Sequence, residues 1–367
     1  MKLISFYLPQ FHEIPENNEW WGEGFTEWCN TKRAKPLFKG HYQPREPYQD
    51  NYYDLANPQV LVNQMKLAKK YGIGGFCFYH YWFGGKKLLE KPIEMLLDNK
   101  EADLPFCLAW ANEPWTRTWD GVLGSKEVLM PQVYGGEAEW KEHFDYLLPF
   151  FQDDRYIRME GKPVFIIYRA QNIPKCIAMM NYWDTLASKH NLPGLYYIQM
   201  NTAFGEDKYN KKFSASLDFE PMRTFGDINN TKACLWKTQV LMYKQLLKVP
   251  LINKLLLFKI DYDSFYRTIT NRKELPIKKT YYGVFSNWDN SPRKGRKGLI
   301  IKGGSPKKFE EYLKIQILRS LNAGNEFLFI NAWNEWGEGA YLEPDKKYGY
   351  AYLKAIRRAC IDTVIKG

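Results

Sequence analysis

Short apolar runs recur along the chain, and each gives way to a cluster of polar and aromatic residues. Lys2 to Leu8 is the first and ends in Pro9-Gln10-Phe11-His12. Gly75 to His80, Pro105 to Trp110, Pro163 to Tyr168, Leu195 to Met200, Ser214 to Phe219, Thr280 to Phe285 and Phe327 to Ala332 follow. Runs of this length, apolar at consecutive positions, predict strands buried on both faces. Helical signals alternate with them. Pro58 opens a helix whose Leu61, Met65 and Ala68 share a face and which Gly72 closes; a shorter one lies around Leu88 to Leu97. Glu137 to Phe151, Lys175 to His190, Ser305-Pro306 to Asn322 and Gly349 to Val364 complete the set. The connection Glu13 to Pro58, with Trp20-Trp21-Gly22-Glu23-Gly24-Phe25-Thr26-Glu27-Trp28, is too rich in Gly and Trp for a regular element and reads as an ordered loop.

Eight strands alternating with helices predict an α/β fold, a single (β/α)8 TIM barrel over residues 1–367 with long βα loops; a doubly wound open sheet is the alternative. Where the polar residues fall favours the barrel. Tyr7, Gln10, His12, His80, Trp82, Asn112, Glu113, Asn201, Glu220, Asn287, Trp288, Glu335 and Glu338 lie at or just past the C-terminal ends of the strands. A closed barrel gathers those ends at one mouth, and an open sheet does not.

The densest chemistry is FLFINAWNEWGEGAYLE, Phe327 to Glu343. After its apolar start it offers Asn331, Trp333, Asn334 and Trp336 around Glu335 and Glu338. Indole faces cover the C–H faces of sugars, amides and carboxylates match hydroxyls, and two carboxyls can divide acid and base work on one glycosidic bond. Glu335 and Glu338 are the catalytic candidates, the bland reading being that they cap the next helix or bind basic neighbours. Candidate sugar contacts are Tyr7, Gln10, His12, Trp28, His80, Trp82, Trp110, Asn112, Glu113, Trp115, Asn201, Glu220, Asn287, Trp288, Asn331, Trp333, Asn334 and Trp336. For Glu113, support of its neighbours is an equal reading; for Trp28, so is packing inside a folded loop.

One segment breaks the repeat. Residues 221–280 form an insertion between strands six and seven, and 232–279 carries eleven Lys and Arg against Asp261, Asp263 and Glu274. Interleaved with Leu, it is either a surface for anionic lipid or a packed crossover with a solvated basic face. The net charge of +11 selects no partner by itself, and no nucleic-acid partner is expected. Six cysteines lie singly, without C-x-x-C spacing, which fits reduced thiols and a cytoplasmic location. No signal peptide is read at Met1-Lys2. Without H-E-x-x-H or C-x-x-C spacing neither metal nor cofactor is expected; Asp261-Tyr262-Asp263 is a lone D-x-D with no nucleotide-binding turn beside it.

YLPQFH (Tyr7 to His12), WWGEGFTEW (Trp20 to Trp28) and WNEWGEG (Trp333 to Gly339) resemble the WbsX-type proteins of bacterial surface-polysaccharide gene clusters. These are in turn similar to glycoside hydrolase family 99, the endo-α-mannosidases and endo-α-mannanases. The resemblance implies that Glu335 is the base that takes the proton of the substrate 2-hydroxyl, whose oxygen attacks the anomeric carbon to give a 1,2-anhydro sugar. It implies that Glu338 protonates the leaving oxygen and then activates water, with net retention. The expected activity is therefore a retaining glycoside hydrolase or transglycosylase on an α-mannoside-like linkage of a polysaccharide such as O-antigen or capsule, or of its lipid-linked precursor. Family 99 enzymes act in the secretory path or outside the cell, whereas the expected place here is the cytoplasm, peripherally at the inner membrane face. A glycosyltransferase dependent on Asp261 and Asp263, and a glycan-binding protein without turnover, are the alternatives. If 232–279 is a lipid surface, the chain sediments with anionic vesicles, salt weakens the association, and replacing its lysines abolishes it; binding unchanged by those replacements rules the lipid surface out.

Overall fold

The computed structural model describes residues 1–117, 127–202, 211–226, 242, 246, 257–273 and 279–366. The eight apolar runs become β1 (Lys2–Tyr7), β2 (Gly75–Phe83), β3 (Phe106–Trp110), β4 (Lys162–Ile167), β5 (Tyr196–Asn201), β6 (Ala215–Asp218), β7 (Thr280–Tyr281, continued by Gly283–Phe285) and β8 (Phe327–Asn331). All neighbours pair in parallel. β1 lies between β2 and β8, with Ser5 opposite both Phe76 and Ile330. The first piece of β7 pairs with β6, Tyr281 opposite Leu217, and the second with β8, Val284 opposite Ile330. The sheet thus returns on itself through the divided β7 and makes the barrel rather than the open alternative.

Strand alternation sorts side chains into two layers. Inside, Phe6 meets Tyr79, Phe219 and Phe329, with ring centroids 5.4, 5.1 and 5.8 Å away. Outside, Tyr7, Phe76 and Phe78 pack together under the helices. The expected helices form at Pro58–Lys70, Lys91–Asp98, Glu137–Gln152, Cys176–Lys189, Pro306–Asn322 and Ala351–Lys366. Two of their starts are capped: Asn57 accepts from the Gln59 N–H and Ser305, the expected start, from the Lys308 N–H.

One expectation needs correction: Glu13 to Pro58 is not irregular throughout, since it holds helices Pro15–Trp21 and Glu27–Arg33. Gly22 and Gly24, at φ 101° and 79°, turn the chain between them, a conformation glycine adopts without strain. Asp261-Tyr262-Asp263 does not present two free carboxylates. Asp261 caps the helix Tyr262–Thr270 by accepting from the Ser264 N–H at 2.9 Å, and Asp263 takes Lys308 at 2.6 Å and the Tyr312 hydroxyl at 3.1 Å. Phe258–Asp261 pairs with Leu299–Lys302, which pairs with Trp288–Asp289, and this small sheet builds a second core of Ile260, Tyr266, Phe285, Trp288 and Ile301. Residues 227–256 except 242 and 246, together with 274–278, which carry most of the proposed lipid surface, lie outside the described residues.

Barrel closure leaves no room at Gly283, where a Cβ would stand 2.1 Å from the Asp218 carbonyl oxygen. Gly283→Ala is expected to cost about 2 kcal/mol or more, read as a lowered urea midpoint.

Candidate active site at the barrel mouth

Beyond β8 the chain makes a tight hairpin. Asn334–Glu335 pairs antiparallel with Ala340–Tyr341 across the turn Trp336–Glu338, and Gly339 closes it at φ 66°. Three contacts fix its pose. The Asn334 amide accepts from the Leu8 N–H at 2.8 Å and donates to the Leu8 carbonyl at 2.9 Å, tying the hairpin to the end of β1. Trp336 stacks on Tyr341 with centroids 3.8 Å apart, and its indole N–H donates to Glu343 at 2.7 Å. Glu343 also accepts from Tyr53 and Gln64 at 2.9 and 2.7 Å, and burial pushes its carboxyl up to about 7.

So held, Glu335 and Glu338 meet one guanidinium. Arg293 Nη2 lies 3.2 Å from Glu335, Nη1 lies 2.9 Å from Glu338, and Nε donates to Glu27 at 2.8 Å. Gly337 makes this convergence possible, because a Cβ there would come within 1.7 Å of Glu27 Oε1. Burial first, then the charge of Glu338, push the Glu335 carboxyl up to about 8 against the pull of Arg293; burial likewise raises Glu338. The pair therefore keeps a proton at neutral pH while Arg293 favours ionisation of the other member, the state that joint acid and base work requires. Arg293 and Glu27 line a narrow cleft walled also by Trp21, Phe25, Trp115 and Gln10.

Of the sequence candidates, the structure brings Glu335, Glu338, Gln10 and Trp115 to this cleft or to the arginine beside it. Several others face the helices and are corrected as direct contacts. The Tyr7 hydroxyl donates to Gln64 on Pro58–Lys70. His80 meets His143 on Glu137–Gln152 at 2.8 Å, Trp82 stacks on that histidine with centroids 4.5 Å apart, and Trp110 donates to the Trp82 carbonyl. Burial holds His80 near 3, so it stays neutral. Trp28, Trp333 and Trp336 are buried beneath the hairpin, and Trp288 belongs to the second core. His12 turns back on the Pro9 carbonyl, and burial lowers its pKa.

A third group ties strand ends together. The Asn112 amide bonds the Arg169 backbone at both ends, Glu113 pairs with the Arg169 side chain, and Asn201 donates to Asp218. Glu220 pairs with Arg272 and accepts from the Thr224 N–H, Asn331 donates to the Glu220 carbonyl, and Asn287 accepts from the Trp288 N–H.

Sequence reasoning missed Arg293, Glu27, Asn30, Tyr79, Tyr81 and Glu343. Burial, then the charge of Glu335, holds the Tyr79 and Tyr81 phenols far above their ordinary value, which places both near the pair. Their signal was parity: once His80 and Trp82 face out, Tyr79 and Tyr81 face in. Among the described residues no three His, Cys, Asp or Glu are grouped to hold a metal, and no helix is long and apolar enough to cross a membrane.

Parallel closure with a carboxyl pair at the C-terminal mouth defines a (β/α)8 barrel of the glycoside hydrolase family 99 architecture. The GH99 endo-α-mannosidase from Bacteroides thetaiotaomicron aligns over 99% of this chain and 97% of its own, with a TM-score of 0.56 and 14% identity. A glycoside hydrolase-like protein gives the same TM-score and identity over 98% and 93%. The sequence profile of the family described as glycosyltransferase WbsX matches residues 3–356, and the chain belongs to that family. WxcX of Xanthomonas campestris pv. campestris (strain B100) is 35% identical over 362 residues, 97% of this chain and 49% of WxcX. The chain thus spans about half the length of the curated relatives it matches.

Removing the shared cation strands three carboxyls. Arg293→Met is expected to lose about 3–5 kcal/mol near pH 8 and less near pH 5, because protonation there relieves the unpaired acids. Denaturant melts at both pH values read the difference.

Proposed function

We propose that the chain is a retaining glycoside-processing enzyme, a hydrolase or transglycosylase acting on α-mannoside-like linkages of a bacterial surface polysaccharide such as O-antigen or capsule, or of its lipid-linked precursor. The observation that carries the reading is the Glu335 and Glu338 pair, bridged by Arg293 beside an aromatic-walled cleft and holding a proton between its members at neutral pH. Glu335 takes the proton of the 2-hydroxyl as that oxygen bonds to the anomeric carbon. Glu338 gives its proton to the leaving oxygen as the glycosidic bond breaks. A water or sugar hydroxyl then loses a proton to Glu338 and attacks the anomeric carbon, the 1,2-anhydro bond opens, and the 2-oxygen recovers its proton from Glu335. The substrate requires no metal in this scheme, because the proton donor and acceptor are both side chains.

The family description favours a second reading, a glycosyltransferase of polysaccharide assembly. The engagement of Asp261 and Asp263 in capping and packing supports it less than the carboxyl pair supports the first. Incubation with α-linked oligosaccharides, with and without nucleotide sugars, separates them. Under the hydrolase reading wild type releases reducing sugar, Glu335→Gln and Glu338→Gln each lower kcat by about 10³-fold, and the rate falls as pH rises past about 8, where the pair loses its last proton. Product formation that requires a nucleotide sugar and survives both substitutions refutes it.

A further inference from the structure

We propose that Asp289 and Arg45 form a buried brace behind the carboxyl pair, Asp289 setting the place of Arg293 and Arg45 the place of the hairpin, so that together they fix how closely the cation and the acids meet. Both are positioning residues, and neither lines the cleft. The bearing of the brace on turnover rests on the glycoside-processing reading; its bearing on the titration of the pair does not.

Asp289 ends the short strand Trp288–Asp289, and the helix Ser291–Lys294 that carries Arg293 follows directly. Asp289 Oδ1 accepts the Ser291 N–H at 3.1 Å, at the head of that helix. Asn290 closes the excursion by accepting the Leu299 N–H at 2.7 Å. Asp289 Oδ2 faces the other way: the Gln43 amide donates to it at 2.7 Å, His41 Nε2 at 2.8 Å, and Arg45 Nη2 lies 3.9 Å away. His41 accepts the Leu37 N–H at Nδ1, 3.0 Å, which leaves Nε2 as its donor. Arg45 then reaches the hairpin. Its Nη1 donates to the Gly339 carbonyl at 3.0 Å, and a Cβ on Gly339 would stand 2.9 Å from Arg45 Cζ. The contacts thus run from Ser291 through Asp289 and Arg45 to Gly339, with His41 and Gln43 holding the same loop to the same carboxylate.

Asp289, Gln43 and Arg45 are buried, and a buried carboxylate is tolerated only where cations and hydrogen bonds meet it. Burial alone would raise the Asp289 carboxyl; His41, Arg45, Ser291 and Gln43 together hold it down at about 2, so it stays ionised wherever the pair titrates. Arg293 meets Glu338 at 2.9 Å and Glu335 at 3.2 Å, and the attraction of opposite charges weakens with distance. A small retreat of the guanidinium therefore loosens its pull on both carboxylates. The other charged and titratable groups facing the pair are Glu27 and Lys294, with the phenols of Tyr79, Tyr81 and Tyr168. Among the described residues none of these is bonded to Asp289, so the brace reaches the pair through Arg293 and the hairpin. The sign of the effect separates the two routes. Loss of the Asp289 charge acting through space would lower the pH at which the pair gives up its last proton, whereas a retreat of Arg293 raises it.

The test is a carbon-13 NMR titration of the full chain labelled at its glutamate carboxyls, the pair being the signals lost in Glu335→Gln and Glu338→Gln. Asp289→Asn keeps an oxygen for Ser291 but sets a donor where His41, Gln43 and Arg45 also donate. It is expected to raise the titration of the pair by about 0.5–1 pH unit. In turnover of an α-linked oligosaccharide it is expected to lower kcat about tenfold with KM little changed, since the brace touches no sugar. His41→Leu, which removes a neutral ring, is expected to move the titration the same way by a smaller step. His41→Gln, whose amide can accept from Leu37 and donate to Asp289, is expected to return it most of the way. A role confined to structure would lower the thermal midpoint and leave the titration where it stands. A titration unmoved or shifted downward in the folded variants overturns the proposal; if Asp289→Asn does not fold, the two His41 variants decide by the same signs. If the titration moves as expected while Glu335→Gln and Glu338→Gln leave turnover intact, the brace stands and the catalytic assignment falls; a fixed titration with turnover lost in those two variants spares catalysis and removes the brace.

Discussion

One guanidinium holds the mouth together. Arg293 serves Glu27, Glu335 and Glu338 through Nε, Nη2 and Nη1, and so joins a helix of the N-terminal connection, the excursion after β7 and the hairpin after β8. The partners stand 266 and 42 residues away along the chain for Glu27 and Glu335. Removing several carboxyls from water is costly unless a cation and hydrogen bonds meet them. The planar fork of arginine reaches three directions at once, which the point charge of a lysine does not. The arrangement also explains Gly337, since any side chain there would occupy the space of the Glu27 carboxylate.

The tryptophans of the motif contribute behind the cleft rather than in it. Trp28 packs against Phe11, Tyr53 and Trp336, while Trp333 packs on Phe76. These rings form a floor on which the hairpin rests, and Asn334 and Glu343 anchor it at two points. A carboxyl pair that must exchange protons needs side chains held within a few tenths of an ångström, and a densely packed aromatic floor with satisfied polar anchors provides that rigidity. Aromatic richness in this chain is thus mainly a property of its packing, with Trp21, Phe25 and Trp115 reaching the cleft.

How far the sequence could be read follows from what kind of information each feature carries. The strands were legible because buried parallel strands are apolar at consecutive positions, and the helices of the outer ring because Pro58, Gly72 and Ser305-Pro306 mark their ends. Strand ends were found, but which side of the strand a residue takes was not. Counting β2 to His80 put that histidine and Trp82 in the mouth, whereas β2 runs on to Phe83 and places Tyr79 and Tyr81 there instead. Pro15–Trp21 and Glu27–Arg33 are two turns each, too short for periodicity to rise above their Gly and Trp content. Arg293 follows Ser291-Pro292 in a segment with no recognisable motif, and only the folded chain brings it to Glu335. Cross-chain charge pairing of this kind leaves no spacing to read.

The electrostatics of the free mouth and the proposed chemistry become consistent once a ring is considered as part of the site. Burial penalises ionisation of both carboxyls, and Arg293 favours it in both. In the proposed mechanism the substrate brings a 2-hydroxyl to Glu335, and that hydroxyl donates more strongly to an ionised carboxylate than to a protonated one. Each such hydrogen bond lowers the proton affinity of Glu335, while the leaving oxygen, an acceptor, favours the protonated form of Glu338. In that mechanism binding biases the shared proton toward Glu338 without changing the charge of the cluster, so Arg293 balances the same total. Under the proposed mechanism, base and acid are then assigned by the ligand rather than by the empty site.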